Sequence, residues 1–412
     1  MANRLLKSAW QNGWATRPSL DPDELVRTAA ARAAADPDGD MIGWRMRLER
    51  LCADLEQHAQ LTELGRTIAH GQLISALTGR FRAHSLWNRH PEIADRPISA
   101  PIIIVGQMRS GTTRMQRLLA CDPRLTFTRF YESWNPIPAS RGHSILDSRK
   151  LKGWCGLACA RFLNPQFDPI HPTAWYAPDE EIGLHNLSIF GSAFEAQWRV
   201  PNYIAAVENE DCSGVYLEFR RLLQTLAWLR KDRADRPWVL KVPQFTQDVP
   251  TLLHAFPDAR LIFLRRDLAA TVASSASLVF NQMSLQSHSV DAGWIGQEWS
   301  RKVQLREQRM AAARAAAAVP QVEVGFDDVT QDWEQEMRRV YEMINLPLSD
   351  KVKATMGRYI RASGEGRRKK HIYDAHQFSL DVSTARMTER DKRQPYPVES
   401  RAKVPACADL FD

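Results

Sequence analysis

A buried strand that runs directly into a glycine-rich loop and a helix is the strongest structural signal in this chain. Residues 102–105 form a continuous β-branched run, as is typical of a strand buried on both faces of a parallel sheet. Gly106 and Gly111 follow, five residues apart, ahead of a helical pattern over 115–120. In such a loop the backbone N–H groups converge, and the start of the helix adds about half a positive charge. The segment therefore predicts a binding site for a phosphate or sulfate group.

Further strand-like segments predict that this loop belongs to an α/β fold. They are residues 238–240, 261–264 and 322–324. Helical stretches separate them, and strands that alternate with helices predict a mostly parallel sheet flanked by helices. Since the glycine loop follows the first strand, we expect a P-loop-like sheet.

The α/β pattern begins only after a long helical leader. Residues 1–97 carry leucines at helical spacing and no strand-like run, which predicts a helical N-terminal region. We expect this region to cover a main domain at 98–412; a separate partner-binding module or a homodimer contact is the alternative. Residues 131–216 are rich in Trp, Pro and His without clear periodicity, and this pattern favours an insertion that shapes a pocket.

Composition narrows the class of protein and of partner. The formal charge is +7 and the sequence pI is about 9.1, which favours an anionic partner: a nucleotide, a nucleic acid or an acidic membrane surface. No apolar run approaches the roughly 18 residues that a transmembrane segment needs, and the first residues do not resemble a secretory signal. The six cysteines are scattered without a metal-site pattern. We expect reduced thiols, a cytoplasmic location and no metal.

One position in the loop bears on which anion it binds. A nucleoside triphosphatase has a lysine directly after the second glycine, where this chain has Thr112. The cation stands inside the loop instead, at Arg109, whose guanidinium could grip a terminal anionic group in a bidentate way. This pattern argues against hydrolysis of ATP or GTP. A P-loop kinase or nucleotide hydrolase is kept as the alternative.

Two other strand ends carry cations that could meet the loop. Arg266 follows the strand at 261–264, and Ser274 lies eight residues further on, about two turns into a predicted helix. Residues at that spacing share a helix face, so Arg266 and Ser274 could converge on one anion. Lys241 ends the strand at 238–240, and the carboxyl end of a parallel strand borders the ligand crevice of open α/β sheets.

Taken together, the segment from about 100 to 380 resembles the sulfotransferase family that uses 3'-phosphoadenosine 5'-phosphosulfate (PAPS), in its bacterial-type form. The donor loop of that family has a basic residue followed by Ser-Gly-Thr-Thr. It matches Arg109, Ser110, Gly111, Thr112 and Thr113. The resemblance implies that this loop wraps the 5'-phosphosulfate. It also implies transfer of a sulfuryl group to a hydroxyl (or amine) of a small acceptor, without a metal.

The resemblance assigns roles to the cations at the other strand ends. Arg266 and Ser274 match the motif for the 3'-phosphate, and Lys241 stands where family members contact the transferring group. Family members close the donor site with a late loop of glycines and basic residues, which implies such a loop at 360–380, with Arg367 and Arg368 on the 3'-phosphate side. The alternative for these last two is a solvated basic run or a nucleic-acid patch, as in a non-catalytic nucleic-acid-binding or adaptor module.

The base that takes the acceptor proton is the least determined part of the site. Cytosolic family members carry a histidine where this chain has Pro243. Glu132 is our first expectation, because it lies in an aromatic, proline-rich context past the donor loop, as an acidic residue does in many bacterial relatives. His171 is the second, since its unperturbed pKa already suits the task. Glu180 or Glu181 is the third.

Aromatic residues flank these candidate bases. They are Phe130, Tyr131, Trp134, Trp175 and Tyr176. They favour an apolar acceptor such as a sterol, a phenol or a lipid-like alcohol; plain core packing is the alternative for these side chains. We expect no nucleic-acid partner.

Overall fold

A five-stranded parallel sheet forms the centre of the protein in the computed structural model. The structure describes residues 2–37, 39, 42–139, 147–170, 172–232, 236–363 and 375–380. The strands are β1 (Ile102–Gly106), β2 (Thr126–Phe127), β3 (Trp238–Lys241), β4 (Arg260–Arg265) and β5 (Gln321–Gly325). Every neighbouring pair is parallel, in the order β2-β3-β1-β4-β5. The predicted α/β fold with a parallel sheet is thus confirmed.

Helices surround this sheet and also form the N-terminal region. The first group is α1 (Ala2–Gln11), α2 (Pro22–Ala33), α3 (Trp44–Gln57), α4 (Glu63–Arg89), α5 (Thr112–Leu119), α6 (Phe130–Trp134), α7 (Ser148–Leu163), α8 (Phe167–Ile170) and α9 (Ile182–Asn186). The second is α10 (Ser192–Gln197), α11 (Pro201–Val207), α12 (Ser213–Arg230), α13 (Phe245–Ala255), α14 (Leu268–Gln286), α15 (Ala292–Ala316), α16 (Phe326–Gln331), α17 (Trp333–Met343) and α18 (Asp350–Ser363). Short 3-10 helices lie at Pro91–Asp95 and Ala375–Phe378.

The strand β1 is apolar throughout because both of its faces are covered. Successive side chains of a strand point to opposite faces. Ile103 and Val105 therefore pack into the cluster that α12 and α13 complete, whereas Ile102 and Ile104 pack into the cluster of α5 and α17. All four side chains are fully buried. The continuous β-branched run seen in the sequence thus reflects a three-layer arrangement.

The N-terminal helices form a second core beside the sheet. Leu25 of α2, Leu51 of α3 and Leu77 of α4 are buried together with Phe194 and Trp198, which lie at and just after α10. The expected helical N-terminal region is thus present. Its apolar stripes pack on helices contributed by the segment 131–216, whose described residues include α7, α9, α10 and α11; that this segment shapes a pocket stays a prediction.

The strand order determines where a ligand crevice opens. β1 lies between β3 and β4, so the chain leaves β1 toward one side of the sheet and later returns to the other. Crevices in open α/β sheets lie at the carboxyl ends of the strands at such a reversal. The loop after Gly106 meets there with the ends of β3 and β4, because Ile104 pairs with Lys241 and Gly106 pairs with Leu264.

Candidate functional site

The loop between β1 and α5 is shaped by its two glycines. A Cβ added to Gly106 would lie 2.8 Å from Ser110 Oγ, and that hydroxyl donates to the carbonyl of Gln107 at 2.7 Å, across the turn. Gly111 has φ +91°, and an added Cβ there would lie 2.8 Å from the ring of Phe326. These two positions therefore require glycine. No side chain caps the start of α5, so its first amides face the loop as a ready anion site.

Three side chains from three elements meet beside this loop. The Nε of Arg109 donates to the Ser274 hydroxyl at 3.1 Å. Arg266 donates to the carbonyl oxygen of Arg109, and its guanidinium lies 4.4 Å from the centroid of the Phe326 ring. Arg109 itself has φ 71°, a left-handed conformation that costs a non-glycine residue free energy. The loop, the end of β4 and the helix α14 are thus linked through Arg109, whose side chain contacts Ser274 and whose carbonyl contacts Arg266.

Asp267 explains why α14 presents Ser274 to the loop. Its carboxylate accepts from the backbone N–H of Ala270 at 2.8 Å and so caps the first turn. The helix then continues without a break. Ser274 lies about two turns further on and therefore on the same side of the helix as its first residues. Arg266 and Ser274 each contact Arg109, and their convergence on one anion stays a prediction.

Lys241 enters the same crevice from the opposite side. Its Nζ donates to the Thr113 hydroxyl at 3.2 Å and to a carboxylate oxygen of Glu180 at 2.8 Å. Its side chain is only 4% exposed, and that of Glu180 is 16% exposed. A buried ammonium acts through a lower effective dielectric than one in water, so its charge is felt more strongly by a neighbouring anion.

Glu181 holds the backbone of Lys241 in place. A carboxylate oxygen of Glu181 accepts from the Lys241 N–H at 2.7 Å. Burial raises the pKa of Glu181 to about 8, and this hydrogen bond opposes the rise. The two adjacent glutamates therefore divide their tasks: Glu181 fixes the end of β3, whereas the carboxylate of Glu180 pairs with the ammonium group in the crevice.

The expectation that Glu132 is the base is not supported by its surroundings. Glu132 is fully buried, and Arg230 forms two hydrogen bonds with its carboxylate, one of them at 2.7 Å. It also accepts from the backbone N–H of Arg129 at 3.0 Å. Burial alone would raise the pKa of Glu132, but the charge of Arg230 lowers it below its ordinary value. A buried, ion-paired carboxylate with a lowered pKa is a poor proton acceptor, so we assign Glu132 a structural role.

We predict that Glu132→Gln destabilises the fold by about 3 kcal/mol, because it leaves the guanidinium of Arg230 buried without its main partner. Since the folded-state pKa is lowered, the carboxylate contributes stability at neutral pH and loses it as the pH falls through that pKa. The difference from wild type should therefore shrink below the ordinary carboxyl pKa of 4.5. Urea unfolding of both proteins at neutral and acidic pH measures this difference in the free energy of unfolding. An unfolding midpoint that is unchanged at neutral pH would contradict the structural role of Glu132.

Several predicted site residues are outside the described part of the chain. His171, Arg367 and Arg368 belong to this group, as does most of the segment 360–380. Within the described residues, no group of His, Cys, Asp and Glu side chains is arranged to hold a metal ion.

One residue of the site had not been singled out from the sequence. Phe326 begins α16 directly after β5 and contacts both Gly111 and Arg266. A signal for it was present, because an aromatic residue two positions after the predicted strand at 322–324 lies at the ligand edge of the sheet.

The aromatic residues expected around the acceptor lie beside the segment that carries Glu180. The N–H of Phe130 donates to the carbonyl of Ala177, and the N–H of Tyr131 donates to that of Trp175, both at 3.1 Å. Trp175 and Tyr176 lie edge to face, with their ring centroids 5.2 Å apart. The helix α6 therefore lies beside the segment 175–177, a few residues before Glu180 in the chain.

Comparisons with known proteins agree with this fold. The sequence model described as the sulfotransferase family matches residues 101–350. The crystal structure of sulfotransferase STF1 from Mycobacterium tuberculosis superimposes with a TM-score of 0.75 at 25% identity, over 92% of this chain and 100% of that one. The structure of sulfotransferase STF9 from Mycobacterium avium superimposes with a TM-score of 0.77 at 25% identity, over 88% of this chain and 93% of that one. The search of curated protein sequences found no match.

Proposed function

Because this chain belongs to the sulfotransferase family, we propose that its sulfuryl donor is PAPS and that its acceptor is a hydroxyl (or amine) of a small, apolar molecule. The observation that carries the donor assignment is the meeting of Arg109, Arg266 and Ser274 beside the glycine loop. Two cationic side chains at one loop fit a nucleotide with more than one anionic group.

The loop and the side chains around it would hold the two ends of this donor. The amides at the start of α5 and the guanidinium of Arg109 would bind the 5'-phosphosulfate. Arg266 and Ser274 would bind the 3'-phosphate, which distinguishes PAPS from other adenine nucleotides. Phe326 offers a ring next to Arg266 on which a base could stack.

The transfer itself needs cations and a base. A bond forms between the acceptor oxygen and sulfur while the bond from sulfur to the 5'-phosphate oxygen breaks, in line and through a loose transition state, as in phosphoryl transfer. Lys241 and Arg109 would stabilise the negative charge that grows on the leaving phosphate and the sulfuryl oxygens. The acceptor proton goes to a carboxylate.

We propose that the carboxylate of Glu180 accepts that proton. Its carboxylate lies 2.8 Å from Nζ of Lys241 and is partly exposed, so an acceptor that reaches the transferring group also reaches Glu180. Glu132 and Glu181 are fully buried and are held by Arg230 and by the Lys241 backbone, respectively. The aromatic residues of α6 and of the segment before Glu180 support an apolar acceptor.

Thermal stabilisation by nucleotides tests the donor assignment. We predict that 3'-phosphoadenosine 5'-phosphate raises the apparent stability of the wild type, by about 2.7 kcal/mol at a hundredfold excess over Kd, whereas adenosine 5'-phosphate and ATP raise it far less. Arg266→Ala should abolish the preference for the 3'-phosphorylated nucleotide.

The neighbouring Arg265 provides a matched control for this measurement. Its side chain is 56% exposed and pairs with Glu323, away from the loop, so Arg265→Ala should keep the full preference. An equal rise with ATP in the wild type would favour a kinase or hydrolase and overturn the proposal. Loss of the preference in both variants would mean that Arg266 acts only through the general charge of the site.

A further inference from the structure

The helix α7 carries apolar side chains on the face that points to solvent. Leu151, Trp154 and Phe162 are 64%, 56% and 85% exposed. Cys155, Ala158 and Cys159 are exposed between them. Steps of three, four, seven, eight and eleven residues from Leu151 place all six on one side of the helix. An exposed apolar stripe of this kind commonly marks an interaction surface.

The opposite face of α7 is firmly anchored to the protein. A Cβ added to Gly153 would lie 2.7 Å from that of Tyr131, so the helix backbone packs directly on α6. Arg149 donates to the carbonyl of Pro136 at 2.9 Å, and Asn164, just after the helix, donates to the Asn281 side chain at 2.7 Å. The apolar stripe is therefore the outer side of a docked helix and is presented on a fixed scaffold.

Cations border the stripe on both sides. Lys150 and Arg161 flank it along one edge and Lys152 along the other, whereas Ser148–Leu163 contains no carboxylate. Arg161 is paired with Asp168, outside the helix. Apolar and aromatic side chains between basic ones match an anionic lipid surface, whose headgroups attract the cations while the stripe enters the acyl boundary.

A second copy of the chain is a poorer match for the same face. A two-fold contact is self-complementary, so the stripe would face itself. The lysines at the start of one α7 would then approach the end of the other helix, where the nearby carboxylate of Asp168 is already paired with Arg161. Juxtaposed like charges disfavour such an interface.

We propose that the outer face of α7 docks on the surface of an anionic membrane. No described helix is long and apolar enough to cross a bilayer, and α7 has 16 residues, so the helix would lie in the plane of the interface. Docking is a property of this surface, and it is independent of the proposed donor and acceptor.

Binding to vesicles tests the proposal. We expect the full-length protein to co-sediment with vesicles that contain phosphatidylglycerol and at least tenfold less with phosphatidylcholine alone. Trp154→Ser with Phe162→Ser should weaken binding at least tenfold, since each buried aromatic contributes strongly. Trp14→Ser is the matched control, because Trp14 is also highly exposed, at 79%, but lies outside α7. Lys150→Glu with Lys152→Glu should remove the preference for the anionic lipid.

Two native thiols report on the same face directly. Cys155 and Cys159 are exposed on α7, and we expect phosphatidylglycerol vesicles to protect them from alkylation, as peptide mapping by mass spectrometry would detect. The proposal would be overturned if wild-type protein did not bind the anionic vesicles. It would also be overturned if the variant with Trp154→Ser and Phe162→Ser bound them as well as the wild type does. Protection without vesicles, together with a doubled mass in solution, would assign the face to a second copy instead. The vesicle experiment measures neither turnover nor nucleotide binding, so it can fail or succeed independently of the donor experiment.

Discussion

Lys241→Met is expected to lower kcat by roughly 10²–10³-fold, the loss typical of removing one preorganised donor from a developing anion. The Nζ of Lys241 bridges Thr113 and Glu180 in the crevice, and the side chain is almost fully buried. Its charge therefore acts with little screening by water. Methionine keeps the length and the apolar stem of the side chain but removes the charge. Steady-state turnover at saturating donor measures the effect.

The affinity for the product nucleotide separates transfer from binding. We expect 3'-phosphoadenosine 5'-phosphate to bind the Lys241→Met variant nearly as well as the wild type, because the contacts assigned to its phosphates come from the loop and from Arg266. Lys231→Met is the control, since Lys231 is an exposed lysine at the end of α12. A nucleotide affinity that falls as far as kcat would show that Lys241 holds the donor and would contradict its assignment to the transferring group.

Glu180→Gln is expected to lower kcat by roughly 10²–10⁴-fold, the usual contribution of a general base. Glutamine preserves the shape of the side chain and a hydrogen-bonding oxygen for Lys241 but cannot accept the acceptor proton. Because Glu180 is the carboxylate partner of the buried Lys241 ammonium but is itself partly exposed, the thermal midpoint should fall less than in Glu132→Gln, whose carboxylate is fully buried. Turnover and thermal unfolding, measured on the same preparation, check both halves of the prediction.

Glu132→Gln is the matched control for Glu180→Gln. The buried pair of Glu132 with Arg230 predicts lower stability with turnover retained by the folded fraction. Glu132→Gln should therefore lower stability more than turnover, whereas Glu180→Gln should lower turnover more than stability. If Glu132→Gln abolished turnover in protein that remained folded, and Glu180→Gln did not, the assignment of the base would be reversed.

The strand, the glycine loop and the helix beside it could be predicted from the sequence because their features are local. The β-branched run, Gly106 and Gly111 all lie within ten residues of the sequence. The periodicity of a strand or a helix then determines which side chains share a face. The same holds for Arg266 and Ser274, which one capped helix connects. The helical N-terminal region followed from its leucine spacing in the same way.

Only the tertiary structure decided the strand order and the role of each carboxylate. Arg230, which neutralises Glu132, lies 98 residues away in the chain, and Lys241 lies 61 residues from Glu180. Burial and the pKa of a carboxylate depend on such distant partners, and no local pattern encodes them. For the same reason, the apolar residues on both sides of α7 did not reveal which side packs on the protein. Its contact with Tyr131 made one side part of the core and left the other as a surface.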